Sequence, residues 1–184
     1  MEITPILKAM VEESASPLKA IETKFSIDAT GFGTNTYSRW YDHKYGREKK
    51  RENWLKAHAM VGVRTNVVTS VEVTEGDAHD SPQFAGLVNT TADRFKIAEV
   101  SADKAYISHA NLDAVANAGG VPYIPFKSNN KGAGPEQWQK LWHCFRYRRA
   151  EFDKAYHLRS NSESTFSAIK RKFGGSVRSK KHES

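Results

Sequence analysis

Apolar positions change their period several times along this chain, and each change predicts an element. Residues 4–22 carry Ile6, Leu7, Met10, Val11, Leu18 and Ile21 at helical spacing, with Pro17 interrupting them. A strand is expected at 23–29, followed by a long polar and aromatic connection. Residues 56–64 alternate, His58, Met60 and Gly62 against Ala57, Ala59, Val61 and Val63, as a second strand does. Thr65-Asn66 predicts a tight turn into a third strand at 67–74. Gly76 to Pro82 reads as a loop whose Ser81-Pro82 opens a helix with proline in the first turn, and Phe84, Leu87, Val88 and Ala92 carry that helix to Phe95.

A fourth strand is expected at 97–102. A short helix at 108–118 stops at Gly119-Gly120. The apolar run Val121 to Phe126 predicts a buried fifth strand, and Ser128 to Pro135 a Gly/Asn loop. A long helical region then spans 136–173, with a break near Tyr156. Phe166, Ile169 and Phe173 form an apolar stripe beside a polar one, so this helix can pack on a sheet while presenting Glu163 along the sheet's edge. The order β-β-β-α-β-α-β-α predicts a mixed α/β fold with one hairpin. The sequence has no internal repeat.

Composition adds a partner class. A chain of 184 residues with 39% apolar content is long enough for one domain with its own core. A formal charge of +7 and a pI near 9.4 favour polyanions. The charge is uneven: residues 138–184 hold 12 Lys or Arg against 4 Asp or Glu. A second basic stretch, Tyr37 to Trp54, interleaves Arg39, Lys44, Arg47, Lys49, Lys50 and Arg51 with Tyr37, Trp40, Tyr41, Tyr45 and Trp54. Cations neutralise phosphates and rings stack on unpaired bases, so the stretch suits DNA; it equally suits a solvated loop with aromatics tucked into the core.

Other chemistry is thin. The single Cys144 excludes an intramolecular disulfide and a cysteine-rich zinc site. The seven histidines lack zinc-motif spacing, and His79-Asp80 in a Gly/Pro-rich turn reads as a loop feature before it reads as a ligand pair. No apolar run approaches a membrane span and the N-terminus carries no signal-peptide core, so a cytoplasmic protein without membrane partners is expected.

The sharpest pattern is polar. Tyr156, Arg159, Glu163 and Lys170 stand at offsets 0, 3, 7 and 14. At about 100° per residue they fall within about 60° of arc on one helix. A solvated face would explain such a stripe, and so would a carboxylate set among cations beside a metal ion and a phosphate. Two upstream carboxylates follow strand-like runs: Asp28 in Phe25-Ser26-Ile27-Asp28-Ala29-Thr30, and Asp103 in Val100-Ser101-Ala102-Asp103-Lys104-Ala105-Tyr106.

Together these residues resemble the insertion-sequence transposases with a DDE catalytic domain, in the group marked by a Tyr-Arg-Glu-Lys signature of this spacing. The resemblance runs from about residue 20 to residue 175. It implies a ribonuclease-H-like fold: a mixed five-stranded sheet with helices on both faces. It also implies an N-terminal helical segment at 1–22, a catalytic domain at 23–175 and a basic polar tail at 176–184. Asp28, Asp103 and Glu163 become the catalytic carboxylates and the ligands of two Mg²⁺ ions, Mn²⁺ being able to substitute, with Asp28 shared between the ions. Hard divalent ions prefer carboxylate and water oxygens, so the donor types suit that task. Tyr156, Arg159, Lys170 and Lys104 become contacts to DNA phosphates; for each, a surface ion pair is the plainer alternative.

The activity implied is Mg²⁺-dependent hydrolysis at transposon ends, then attack of the freed 3′-hydroxyl on target double-stranded DNA, with a homodimer as the active complex. Family members carry an end-binding region before the catalytic domain and further helices after it. With 27 residues before Asp28, and only the polar tail after Phe173-Gly174-Gly175, a form truncated at both ends is expected. Many relatives insert a β-rich segment before the last helix, and the loop after Phe126 is too short for one. A stand-alone nuclease of the same fold and an inactive DNA-binding remnant are the competing expectations.

Overall fold

The computed structural model describes residues 4–34 and 54–177. The basic and aromatic residues from Tyr37 to Arg51 lie outside the described residues, as do Arg178 to Ser184 of the tail.

Five strands form one sheet: β1 (Lys24–Gly33), β2 (Trp54–Gly62), β3 (Val68–Glu75), β4 (Glu99–Ala102) and β5 (Val121–Tyr123), in the order β3-β2-β1-β4-β5. β1, β2 and β3 are antiparallel neighbours, while β4 and β5 run parallel to β1. Among the described residues six α-helices surround it: α1 (Thr4–Ala15), α2 (Phe84–Ala92), α3 (His109–Asn117), α4 (Glu136–Tyr147), α5 (Arg149–Tyr156) and α6 (Ser160–Phe173). An antiparallel meander followed by two strands parallel to β1, each reached through a helix, is the arrangement that the ribonuclease-H-like resemblance implies.

Side-chain alternation sorts the two faces of the sheet. Phe25 and Ile27 on β1 share a face with Met60 of β2 and with Val100 and Ala102 of β4. These residues pack with Phe84, Leu87 and Val88 of α2 and Leu112 and Val115 of α3 in the main core. Ser26 and Asp28 take the opposite face, beside Val61 and Ala59. There Phe166 of α6 packs on Ala59 and Val61 as a second, smaller core. α1 lies against β3, ties Lys8 to Glu72 at 2.6 Å and buries Ala15 in the main core.

The turn between β2 and β3 is built around one buried carboxylate. Glu22 is 1% exposed and accepts the N–H groups of Arg64 and Thr65, both at 2.9 Å, and the Thr65 hydroxyl at 3.0 Å. Gly62 is required there, because a Cβ would stand 2.6 Å from the Glu22 side chain. Asn66 takes the left-handed conformation at φ 58°, as a tight turn demands. Gly119 does the same at φ 81° and ends α3, as its sequence position predicts.

Two elements differ from the sequence expectation. β5 stops at Tyr123 although Ile124 and Phe126 are buried, because Pro125 has no N–H to continue the ladder. The long C-terminal helical region is three pieces. Arg148 leaves the helical conformation at φ −123°, ψ 46°, which turns α5 back so that Phe145 meets Phe152 edge-on at 5.0 Å. Residues His157–Arg159 then tighten into a 3₁₀ turn. The four residues of the polar stripe therefore span α5, the turn and α6, not one regular helix.

Candidate active site

Asp28 sits on the central strand β1, opposite Ala59 of β2 and one residue past the last paired position with β4. Its Oδ1 accepts the N–H of Ala29 at 2.9 Å. Its Oδ2 accepts Nη1 of Arg159 at 3.2 Å. The same guanidinium donates through Nη2 to Oε1 of Glu163, one helical turn further along. One cation thus bridges two carboxylates that are 135 positions apart in the chain.

Asp103 follows β4, the strand parallel to β1, and stands level with Asp28, each one residue past the Ile27–Ala102 pair. It caps the 3₁₀ turn Lys104–Tyr106 by accepting the N–H of Ala105 at 3.2 Å. The Tyr106 ring anchors that turn: it is 1% exposed and packs on Phe84 at 5.7 Å, and its carbonyl accepts Nδ2 of Asn111 at 2.7 Å. Burial, then the charges of Asp80, Asp28 and Asp103, push the Tyr106 hydroxyl far above its usual range, so it stays protonated.

The carboxyl of Asp28 is held above the ordinary carboxylate range. Burial is the first cause, and the charges of Glu163 and Asp103 add to it, while the Ala29 hydrogen bond and Arg159 work against it. Asp28 therefore lies in the field of both Glu163 and Asp103.

Glu163 owes its place to the docking of α6. Asn161 donates to the carbonyl of Val63, and the Thr165 hydroxyl shares its one proton between the Asn161 carbonyl at 2.9 Å and Oδ1 of Asn66 at 3.3 Å. Both anchors lie on the hairpin turn that Glu22 organises, and Phe166 fills the gap between them and the sheet. Beyond α6, Gly33 and Ser176 form a parallel bridge, so the helix and the segment after it track β1. Phe166 belongs to the apolar stripe visible in the sequence, but the two polar anchors carry no signal of their own. Asn161 and Thr165 read as ordinary helix-surface residues until the turn is folded against them.

The remaining expected residues are more dispersed. Lys170 lies further along α6 with Nζ 5.3 Å from the centre of the Phe32 ring on β1. Tyr156 stacks on Phe152 at 5.8 Å and 23°. Lys104 is exposed on the turn beside Asp103. Among the described residues no group of three or more His, Cys, Asp and Glu is arranged to hold a metal ion, and this includes His79-Asp80. In kind, however, the donors fit a hard divalent ion: carboxylate oxygens in excess of the local positive charge, two of them already sharing a cation.

The family model described as "Transposase DDE domain" matches residues 20–184. Among solved structures, the catalytic core domain of BIV integrase is similar at a TM-score of 0.37 and 13% identity, over 85% of this chain and 91% of that one. No helix among the described residues is long and apolar enough to cross a membrane.

Proposed function

This chain belongs to the Transposase DDE domain family, and from that premise we propose that it cuts phosphodiesters at transposon ends and joins the freed 3′-hydroxyl to target DNA. The observation that carries the reading is the meeting of Asp28 and Glu163 on Arg159, with Asp103 in their field.

Asp28, Asp103 and Glu163 would hold two Mg²⁺ ions, or Mn²⁺ in their place, Asp28 being common to both. Ions bound there would neutralise the phosphodiester and activate the attacking oxygen. The protein's own part is placement. β1 and the capped turn after β4 fix the two aspartates, and α6 brings Glu163 over them. Arg159 presents a planar pair of donors suited to two oxygens of one phosphate. Lys170, further along the same helix, suits a neighbouring phosphate as a point charge. Tyr156 offers a hydroxyl near Arg159, and Lys104 a cation beside Asp103.

In the first step a water oxygen bonds to phosphorus as the bond to the 3′-oxygen breaks, leaving a 3′-hydroxyl and a 5′-phosphate. In the second, that hydroxyl attacks a target phosphorus and the target's own 3′-oxygen departs. Both are displacements at phosphorus with no redox change. The partners are double-stranded transposon ends and target DNA, met in the cytoplasm by a homodimer holding paired ends.

The test uses pre-cut DNA ends, a supercoiled plasmid and Mg²⁺. Joined products support the proposal. Cutting without joining identifies a nuclease of the same fold, and salt-sensitive binding without either identifies a DNA-binding remnant.

A further inference from the structure

We propose that Arg159 is the internal cation of the metal-free site, and that divalent-ion binding displaces its guanidinium from Asp28 and Glu163 and frees it for a DNA phosphate. The inference rests on the metal-binding reading above and goes beyond it. It couples ion binding and DNA binding through one side chain.

The geometry favours the exchange. Both oxygens of Asp28 are engaged, Oδ1 by the Ala29 N–H and Oδ2 by Arg159 Nη1. The backbone contact is fixed by β1. An ion on Oδ2 shares that oxygen with the guanidinium, and a second positive charge at that spacing in a half-buried place is strongly repelled. Glu163 gives an ion both of its oxygens only by releasing Nη2 of the same guanidinium. Arg159 cannot shed its charge by deprotonation. Swinging away relieves the repulsion at both carboxylates.

Arg159 stands on a 3₁₀ turn, not within a regular helix, and carries 19% side-chain exposure. Released from two carboxylates, its fork of N–H donors is complementary to phosphate oxygens. Linkage then follows: if bound ions raise affinity for DNA by making Arg159 available, bound DNA raises affinity for ions by the same factor.

The experiment compares Mn²⁺ binding, by calorimetry and by loss of the free-ion resonance signal, in the wild-type chain, Arg159→Gln and Arg159→Lys without DNA. Removing the competitor is expected to tighten Mn²⁺ binding about tenfold in Arg159→Gln, within the usual range of coupling between sites. Arg159→Lys, which engages one carboxylate at a time, is expected to fall between. On the unaltered protein, the Nε–Hε NMR signal of Arg159 is followed during Mg²⁺ addition, and it should lose its restrained, ion-paired character as sites fill. That measurement stands even if a variant folds poorly. Equal or weaker Mn²⁺ binding by a folded Arg159→Gln, or an Arg159 signal indifferent to saturating Mg²⁺, overturns the exchange and leaves the metal-binding reading intact. Absence of any Mn²⁺ binding in wild type and variants alike overturns both.

Discussion

Asp28 and Glu163 touch the same guanidinium but are held there by different means. Asp28 belongs to a strand hydrogen-bonded on both sides, with one oxygen taken by the adjacent backbone N–H, and its side chain is 20% exposed. Glu163 belongs to a surface helix docked by two side-chain hydrogen bonds and a small apolar cluster, and its side chain is 54% exposed. Asp103 resembles Asp28, since a strand end, a capped turn and a buried tyrosine fix it. The sheet therefore supplies a rigid pair of carboxylates and the helix an adjustable third. Burial makes the charge on Asp28 costly, whereas solvent screens Glu163. The rigid part carries the electrostatic strain, and the exposed part gives the freedom that an ion or a substrate can use.

The largest effect tests the unit as a whole. Asp28→Asn, Asp103→Asn and Glu163→Gln should each lower Mg²⁺-dependent cleavage by more than the about 10- to 100-fold typical of groups that merely support a metal ligand. Filter binding to the same DNA should survive in all three. A folded variant that cleaves at the wild-type rate removes its residue from the site.

Next comes the docking of the helix. Phe166→Ala should cost about 3 kcal/mol in urea unfolding, as large-to-small changes at buried aromatics do. Asn161→Ala and Thr165→Val should each cost about 1 kcal/mol. If α6 is the adjustable arm, both should slow cleavage more than they weaken DNA binding. Equal losses in the two assays would make the anchors purely structural.

A pH experiment separates the buried carboxylate from the exposed one. A raised carboxyl pKa in the folded protein means that the folded state holds its proton more firmly than the unfolded chain. The stability lost to this charge is lost above the folded value and regained as pH falls through it. Metal-free Asp28→Asn should therefore be more stable than wild type at neutral pH, and the gap should close on acidification. Saturating Mn²⁺ should reverse the order, because only the wild type gains the ion. A gap that is constant with pH would show that Asp28 is not under this strain.

The smallest effect concerns the cations along the site. Lys170→Ala should weaken DNA binding evenly across sequences and reduce the salt slope by about one. An unchanged slope would assign Lys170 to its contact with Phe32 alone.

The sequence made much of this legible, and unevenly. Strand and helix order followed from period, because one-sided burial writes itself into alternation. Asp28, Asp103 and Glu163 stood out through residue spacing and a family resemblance, not through any local physical signal. The contacts that place α6 were invisible: Asn161 and Thr165 gain their partners only when a turn 98 positions away is folded by Glu22. The splitting of the last helical region at Arg148 also escaped, since no proline or glycine marks it. The contact that accompanies it, Phe145 on Phe152, forms only once the chain has turned.

The most direct test of the account is a crystal of this protein soaked in Mn²⁺ and measured for anomalous scattering. The account predicts manganese peaks within bonding distance of Asp28, shared with Asp103 and Glu163, and the Arg159 side chain turned away from them. Peaks elsewhere, or none with the guanidinium still spanning Asp28 and Glu163 at saturating ion, would contradict it.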